Sequence, residues 1–200
     1  MPPRENPTTM PPIDITCQGV ENLLTKLDPS KATGPDGISP RILKTLAKET
    51  APILTTIFRH SLKTGCVPTQ WKKANVTPVY KKGEHYKASN YRPVSLTSVP
   101  SKVMEHIVVS QMMSYLEANS ILKANQHGFR KKRSCETQLL EMTHNILTDL
   151  DQGIRTDMII LDFAKAFDKV NHSLLIHKLH HYGIKDDTNR WIKDFLKDRK

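Results

Sequence analysis

Hydrophobic residues in the first 65 positions recur at helical spacing and are interrupted by turn-forming residues. The spacing predicts a first helix over 17–27. Ser39 followed by Pro40 is typical of an N-cap and a first helical residue, and predicts a second helix. A third helix should begin near Thr50 and end at Gly65. The residues of the second and third helices expected to face inward are Ile42, Leu43, Leu46, Ile53, Leu54, Ile57, Phe58 and Leu62.

Two segments rich in β-branched residues follow, at 75–80 and 91–99, and each contains a proline. Because proline cannot donate to a strand ladder, Pro78 and Pro93 would not be tolerated in a central strand. We therefore predict edge strands or extended loops in this part of the chain.

The second half of the chain carries cleaner patterns. Apolar positions from 103 to 116 form a helical stripe, and Ser134 can cap another long helix. The continuously apolar run 156–162 indicates a buried strand that ends in a carboxylate. Further helices are predicted over 173–182 and from 188 onward. In the helix after Ser134, the residues expected to face inward are Leu139, Leu140, Ile146, Leu147 and Leu150.

Composition narrows the class of protein. Hydrophobic residues make up 38% and charged residues 25% of the 200 positions, which is a globular composition. The apolar runs are too short to span a bilayer, so we expect no membrane partner. The three cysteines lack a CxxC spacing, which favours a reducing compartment over a disulfide framework. Five of the thirteen prolines lie in the first twelve residues, so we predict a disordered tail over 1–13.

The net charge of +10 is concentrated in two clusters. One lies between Arg59 and Arg92, and the other is the run Arg130–Arg133. A solvated surface is one explanation for such clusters. Aromatic residues are interleaved with the first, however, and rings that stack on bases among cations that pair with phosphates favour nucleic-acid or nucleotide binding. These aromatic residues are Trp71, Tyr80, Tyr86 and Tyr91.

Asp162 is the most informative single residue, because a carboxylate at the end of a buried strand needs a cation or hydrogen-bond donors. It could bind a divalent metal in phosphoryl transfer, or only cap the following turn. Asp157 is too far along an extended strand to share that metal. His177 and His181 have the spacing of a helical metal pair, but without a third ligand a solvated face is favoured.

Five ordered segments resemble the reverse transcriptase domain of non-LTR retrotransposons of the LINE, jockey-like kind. These segments are KATGPDGISPRILK (31–44), VPTQWKKANVTPVYKKG (67–83), NYRPVSLTSVPSKVMEHI (90–107), HGFRKKRSCETQLL (127–140) and DMIILDFAKAFDKVNHSLLIHKL (157–179). The resemblance implies an α+β, right-hand polymerase fold: fingers and the beginning of the palm over 66–200, preceded by a helical extension over 14–65.

The resemblance also implies roles for individual residues. Asp162 and the main-chain carbonyl of Phe163 would bind a catalytic metal ion, Mg²⁺ or Mn²⁺. Phe167 would lie beneath the incoming sugar and exclude a 2′-hydroxyl. Arg92, Lys81 and Lys82 would hold the triphosphate of a deoxynucleotide and the template. The RNA template and DNA primer would contact Trp71, Lys72, Lys73, Tyr91, Arg130 and Lys131.

The chain departs from the family pattern in one respect. The family places two further carboxylates on an aromatic-x-Asp-Asp hairpin, and this sequence has none. Asp186–Asp187 instead has the character of an acidic helix start. We therefore expect the 200-residue chain to be inactive on its own as a polymerase. The alternatives are a non-catalytic nucleic-acid-binding remnant or domesticated fragment, and a basic helical protein–protein module.

Overall fold

The computed structural model describes residues 8–200, which form seven α-helices and one two-stranded sheet in two compact units. The elements are α1 (Cys17–Thr25), α2 (Pro40–Thr45), α3 (Ala47–Thr64), β1 (Ala74–Tyr80), β2 (Tyr91–Thr97), α4 (Val99–Ala118), α5 (Cys135–Asp151), α6 (His172–His181) and α7 (Asp186–Leu196). The first unit comprises the chain up to Tyr115 together with Asn171–Lys200, and the second comprises Leu116–Val170. None of the helices within residues 8–200 is long and apolar enough to cross a membrane.

Local signals in the sequence set the ends of the first helices as predicted. The hydroxyl of Ser39 accepts a hydrogen bond from the Arg41 amide, with Pro40 at the first helical position. Gly65 ends α3 in the left-handed conformation, at φ 67°. The third helix begins at Ala47 rather than near Thr50, because the Thr50 amide already donates to the Leu46 carbonyl.

The core of the first unit is built around α3. Leu54, Phe58 and Leu62 are buried, and Phe58 is fully enclosed. The prediction that Ile42, Leu46, Ile53 and Ile57 face inward was wrong, since all four are exposed. The predicted boundary at residue 65 does not separate compact units, because α3 packs against α1 and α7.

The predicted disordered tail is partly wrong. Residues 1–7 lie outside the described residues, but residues 8–13 are held against the first unit. The Met10 amide donates to the Gly183 carbonyl at 2.9 Å, and the Tyr115 hydroxyl donates to the Thr8 carbonyl at 2.8 Å. Met10 and Ile13 are buried, so hydrophobic burial overrides the proline-rich composition here.

The two proline-containing segments form an antiparallel pair, as predicted, in which Pro78 lies opposite Pro93. The Lys81 amide donates to the Asn90 carbonyl at 2.8 Å, which assigns the two prolines to a non-hydrogen-bonded pair. Their missing amide hydrogens therefore cost the ladder nothing. Both faces of the sheet are largely exposed. We call residues 74–97 the hairpin.

Two predictions about buried elements were wrong in the second unit. The run 156–162 has no regular secondary structure, and Ile159, Ile160 and Leu161 are each more than four-fifths exposed. The only two strands within residues 8–200 pair with each other, so this run has no neighbour for its backbone hydrogen bonds. Similarly, α5 has no buried residue, although Ser134 caps it as predicted.

Candidate functional site

The tip of the hairpin is ordered by aromatic rings. His85 stacks on Tyr80, with ring centroids 3.9 Å apart, and Tyr91 meets Tyr80 edge-on at 5.7 Å. The Tyr91 hydroxyl donates to the His85 carbonyl at 2.8 Å, and the Tyr80 hydroxyl donates to the Gly83 carbonyl. These contacts fix the connection between the strands, so the neighbouring cations project from a preorganised turn.

The acid within this turn, Glu84, is fully engaged. Its carboxylate lies 2.5 Å from the Lys87 ammonium and accepts a hydrogen bond from the Tyr86 hydroxyl at 2.7 Å. The hydrogen bonds from Lys87 and then Tyr86 lower the pKa of Glu84. The Asn90 side-chain amide donates to the Glu84 carbonyl at 2.9 Å and closes the loop. Glu84 therefore neutralises Lys87 and leaves the other cations of the hairpin unpaired.

Three predicted phosphate-binding residues are brought together here. Arg92 lies opposite Val79 in the ladder, and strand alternation places Lys81 on the same face, diagonal to Arg92. Lys82 follows in the turn. None of the three has an ion-pair partner within residues 8–200. The hairpin therefore presents unneutralised cations of the kind that pair with phosphates.

Two residues predicted to contact nucleic acid instead hold the base of the hairpin. Trp71 is buried and packs edge-on against Phe58, at 5.7 Å between centroids, so neither ring face is free for a base. The Lys72 ammonium lies 2.9 Å from a carboxylate oxygen of Asp194 and is 12% exposed. Contact with nucleic acid therefore stays a prediction for both residues, and the sequence did not reveal that Asp194 of α7 pairs with Lys72.

Asp194 joins α7 to the segment that enters the hairpin. One carboxylate oxygen binds Lys72, and the other accepts the Val67 amide hydrogen at 2.7 Å. Partial burial opposes ionisation, but the hydrogen bonds from Val67 and Lys72 outweigh it and lower the pKa of Asp194. The backbone of Lys200 adds two bonds nearby, to the Lys72 carbonyl and from the Ala74 amide.

Gly34 supports the other end of the hairpin, a role that sequence reasoning missed. A Cβ at this position would lie 2.5 Å from the Ser98 nitrogen and the Thr97 carbonyl carbon. The turn containing Gly34 therefore approaches the end of β2 as closely as backbone atoms allow. The glycine at this position of the KATGPDG segment is the signal for this close approach that the sequence offers.

Asp162 lies on the exposed run 156–162 of the second unit, and its side chain has no hydrogen-bonding or ionic partner within residues 8–200. Phe163 and Phe167 are 82% and 78% exposed. Phe167 contacts Phe129 edge-on at 6.1 Å. No group of three metal-ligating side chains occurs in the part of the chain that the structure describes. Asp162 thus belongs to no such group in the described chain.

The cluster Arg130–Arg133 is divided between structural and exposed side chains. The guanidinium of Arg130 binds both carboxylate oxygens of Glu117, at 2.8 and 2.5 Å. These hydrogen bonds raise the pKa of Arg130 and lower that of Glu117. Lys131, by contrast, is exposed and unpaired within residues 8–200. The cluster therefore has fewer cations free to bind an external anion than its four positive charges suggest.

Comparisons with known proteins identify the family of this chain. The family model for reverse transcriptase (RNA-dependent DNA polymerase) matches residues 79–200, which include Lys81, Arg92 and Asp162.

Three relatives carry similar descriptions. The RNA-directed DNA polymerase from mobile element jockey of Drosophila melanogaster is 28% identical over 85% of this chain and 19% of its own length. The jockey polymerase of Drosophila funebris is 27% identical over 96% of this chain and 21% of its own length. The Pol polyprotein from type-1 retrotransposable element R2 of Popillia japonica is 29% identical over 67% and 18%.

The chain spans about a fifth of the length of the curated relatives it matches. The family match nevertheless covers more than half of the chain, and the relatives are all described as polymerase or Pol proteins of mobile elements. The chain therefore belongs to the reverse transcriptase family, and its predicted resemblance to the polymerases of non-LTR, jockey-like retrotransposons is confirmed.

Proposed function

We propose that this chain is the part of an RNA-directed DNA polymerase that holds the RNA template and the triphosphate of the incoming deoxynucleotide. The observation that carries the proposal is the set of three unpaired cations on the hairpin: Lys81, Lys82 and Arg92. A phosphoryl transfer concentrates negative charge on the transferring phosphates, and fixed cations stabilise that charge. The ordered turn keeps these cations in place before any ligand binds.

In terms of fold, we assign the hairpin to the fingers and the run 156–162 to the beginning of the palm of a right-hand polymerase. Residues 66–200 would form the polymerase portion, and 14–65 its helical extension. The hydrophobic character of the exposed run supports the palm assignment, because such a run requires a neighbouring strand to be stable.

Asp162 fits the role of a single ligand to Mg²⁺ or Mn²⁺, since its carboxylate is exposed and unpaired in the described chain. The main-chain carbonyl of Phe163 would be a second oxygen ligand of the hard kind these ions prefer. A divalent ion would stabilise charge on the reacting oxygens. Phe167 would contact the sugar of the incoming nucleotide, beside a DNA primer.

The chain's own residues therefore supply binding and positioning. A complete site needs more carboxylates than Asp162, and Asp162 lies in no group of three metal-ligating side chains among the described residues. We accordingly expect no DNA synthesis from the isolated chain. The same observation favours a second candidate function for this chain, nucleic-acid binding without chemistry.

RNA affinity of charge variants tests the proposal. Lys81→Gln/Lys82→Gln and Arg92→Gln should each weaken binding of a labelled single-stranded RNA, measured by fluorescence anisotropy at low salt. The matched control is Lys26→Gln/Lys48→Gln, which removes two exposed lysines, one directly after α1 and one in α3. Equal weakening in the control would show a general charge effect and contradict a hairpin site.

Primer extension on an RNA template tests the expected inactivity of the isolated chain. The expected result is no extension in Mg²⁺ or Mn²⁺. Extension that disappears in Asp162→Asn would show that the chain is a complete enzyme and would refute the binding-only role.

A further inference from the structure

The four consecutive cations Arg130–Arg133 differ sharply in what they touch. The side chains of Arg130 and Arg133 are 12% and 29% exposed, whereas Lys131 and Lys132 are both exposed. A run of four like charges is thus split into two engaged arginines and two lysines that face solvent. The difference in burial indicates a difference in role.

Arg130 is committed to the protein through all three guanidinium nitrogens. Nε and Nη2 donate to the two carboxylate oxygens of Glu117, and Nη1 donates to the Lys123 carbonyl at 2.8 Å. This fork geometry ties the loop to the last turn of α4. The charge of Arg130 is neutralised by Glu117, so little of it is available to an external phosphate.

Arg133 belongs to a second network centred on His127, whose side chain is 6% exposed. One ring nitrogen of His127 lies 2.9 Å from the Thr137 hydroxyl, and the other lies 2.9 Å from a carboxylate oxygen of Glu141. Arg133 Nη1 is 3.2 Å from that second nitrogen and 4.0 Å from the same carboxylate. This network fastens the loop to the first turns of α5.

The lysines between these two anchors have a different environment. Neither has an ion pair or a hydrogen bond from its ammonium within residues 8–200. The backbone takes positive φ at Phe129, 59°, and at Lys132, 60°, which side-chain-bearing residues rarely adopt. The flanking networks hold the chain in this conformation, and the Phe129 ring is 86% exposed beside the lysines.

We propose that Lys131 and Lys132 are the residues of this cluster that contact the phosphates of single-stranded RNA, and that Arg130 and Arg133 are positioning residues. This inference rests on the proposed function of RNA binding and assigns the contacts within it. It replaces Arg130 as a predicted contact and adds Lys132. The exposed ring of Phe129 favours a nucleic acid over an acidic protein, because a base can stack on it.

Salt dependence separates the two roles, because only residues that displace counterions from phosphates change the slope of log affinity against log salt. We would measure binding of a labelled oligouridylate of about 12 nucleotides, a length within the usual site size of single-strand binders. Lys131→Gln/Lys132→Gln should flatten the slope by about 1.4, at roughly 0.7 per lost phosphate contact.

Arg130→Lys/Arg133→Lys keeps the charge but loses the fork geometry. It should lower the unfolding temperature measured by circular dichroism and leave the slope of the folded sample unchanged. If that variant does not fold, Glu117→Gln removes the partner of Arg130 instead, with the same expected result. Lys26→Gln/Lys48→Gln is the charge-matched control and should also leave the slope unchanged.

An unchanged slope in Lys131→Gln/Lys132→Gln would overturn the inference. A slope that flattens in Arg130→Lys/Arg133→Lys or Glu117→Gln would do the same. Displacement of the RNA by polyglutamate at equal charge concentration would indicate an acidic protein partner. A wild-type chain that binds no RNA would refute the proposed function as well, whereas salt-dependent wild-type binding with an unaffected lysine variant would refute this inference alone.

Discussion

Replacing Asp194 by asparagine removes the charge that joins α7 to the base of the hairpin. The substitution keeps the shape and leaves one oxygen that can accept the Val67 amide hydrogen. It leaves the Lys72 ammonium, only 12% exposed, without a counter-charge. A buried cation without a partner is unfavourable, so we expect Asp194→Asn to destabilise the first unit.

The magnitude follows from the burial of the pair. Breaking a fully buried ion pair costs about 3–5 kcal/mol. Asp194 is 30% exposed, so water compensates in part, and the loss should approach the value of a hydrogen bond to a charged group, about 1.5–3 kcal/mol. For a chain of this size, a loss of about 2 kcal/mol lowers the unfolding temperature by roughly 4–8 °C.

Tryptophan fluorescence is suited to this measurement, because both tryptophans, Trp71 and Trp191, lie in the first unit. Asp198→Asn is the control: it removes the same charge from an exposed pair with Lys197 and should shift the transition little. Adding Lys72→Met to Asp194→Asn should recover part of the loss. A shift in Asp194→Asn no larger than in the control would refute this account of the pair.

Three further predictions concern the same unit. The pKa of Asp194 is lower in the folded chain than in the unfolded chain, so its stabilisation is complete above the unfolded pKa of about 3.9 and is lost as pH falls through the folded pKa. The difference in unfolding temperature between wild type and Asp194→Asn should therefore shrink in strong acid. An undiminished difference in strong acid would contradict this. Gly34→Ala should lower the free energy of unfolding by about 1–3 kcal/mol by crowding the Thr97–Ser98 backbone, measured by thermal unfolding with circular dichroism. A Cβ at Gly128 would meet nothing within 4 Å, so Gly128→Ala should not destabilise the chain in that measurement. Phe58→Ala should cost about 3–5 kcal/mol in urea unfolding, and a loss below about 1 kcal/mol would mean that the site is not the centre of the core.

The parts of the fold that could be predicted from sequence are those with local causes. Ser39, Gly65 and Ser134 form the caps that their residue types favour, and the prolines at 78 and 93 correctly indicated exposed strands. Each of these outcomes depends on a few neighbouring residues. Helix ends and hairpin strands were therefore accessible without knowledge of the tertiary structure.

The features that the sequence did not predict depend on contacts between residues far apart along the chain. The pairing of Lys72 depends on α7, whose Asp194 also accepts the amide hydrogen of Val67, 127 residues away along the chain. No local pattern contains that contact. The run 156–162 has the composition of a buried strand but no partner strand within residues 8–200. Its composition therefore predicted burial, whereas the run is exposed. The charge of Arg130 likewise predicted contact with nucleic acid, because no local pattern shows that the Glu117 carboxylate binds its guanidinium group.

The salt dependence of RNA binding by the wild-type chain tests the central claim most directly. The three unpaired cations of the hairpin, at roughly 0.7 per phosphate contact, predict a slope of about −2 or steeper for log affinity against log salt. Such a slope, reduced in Lys81→Gln/Lys82→Gln, would support a polymerase fragment that holds nucleic acid on its hairpin. Affinity that does not change with salt would contradict it.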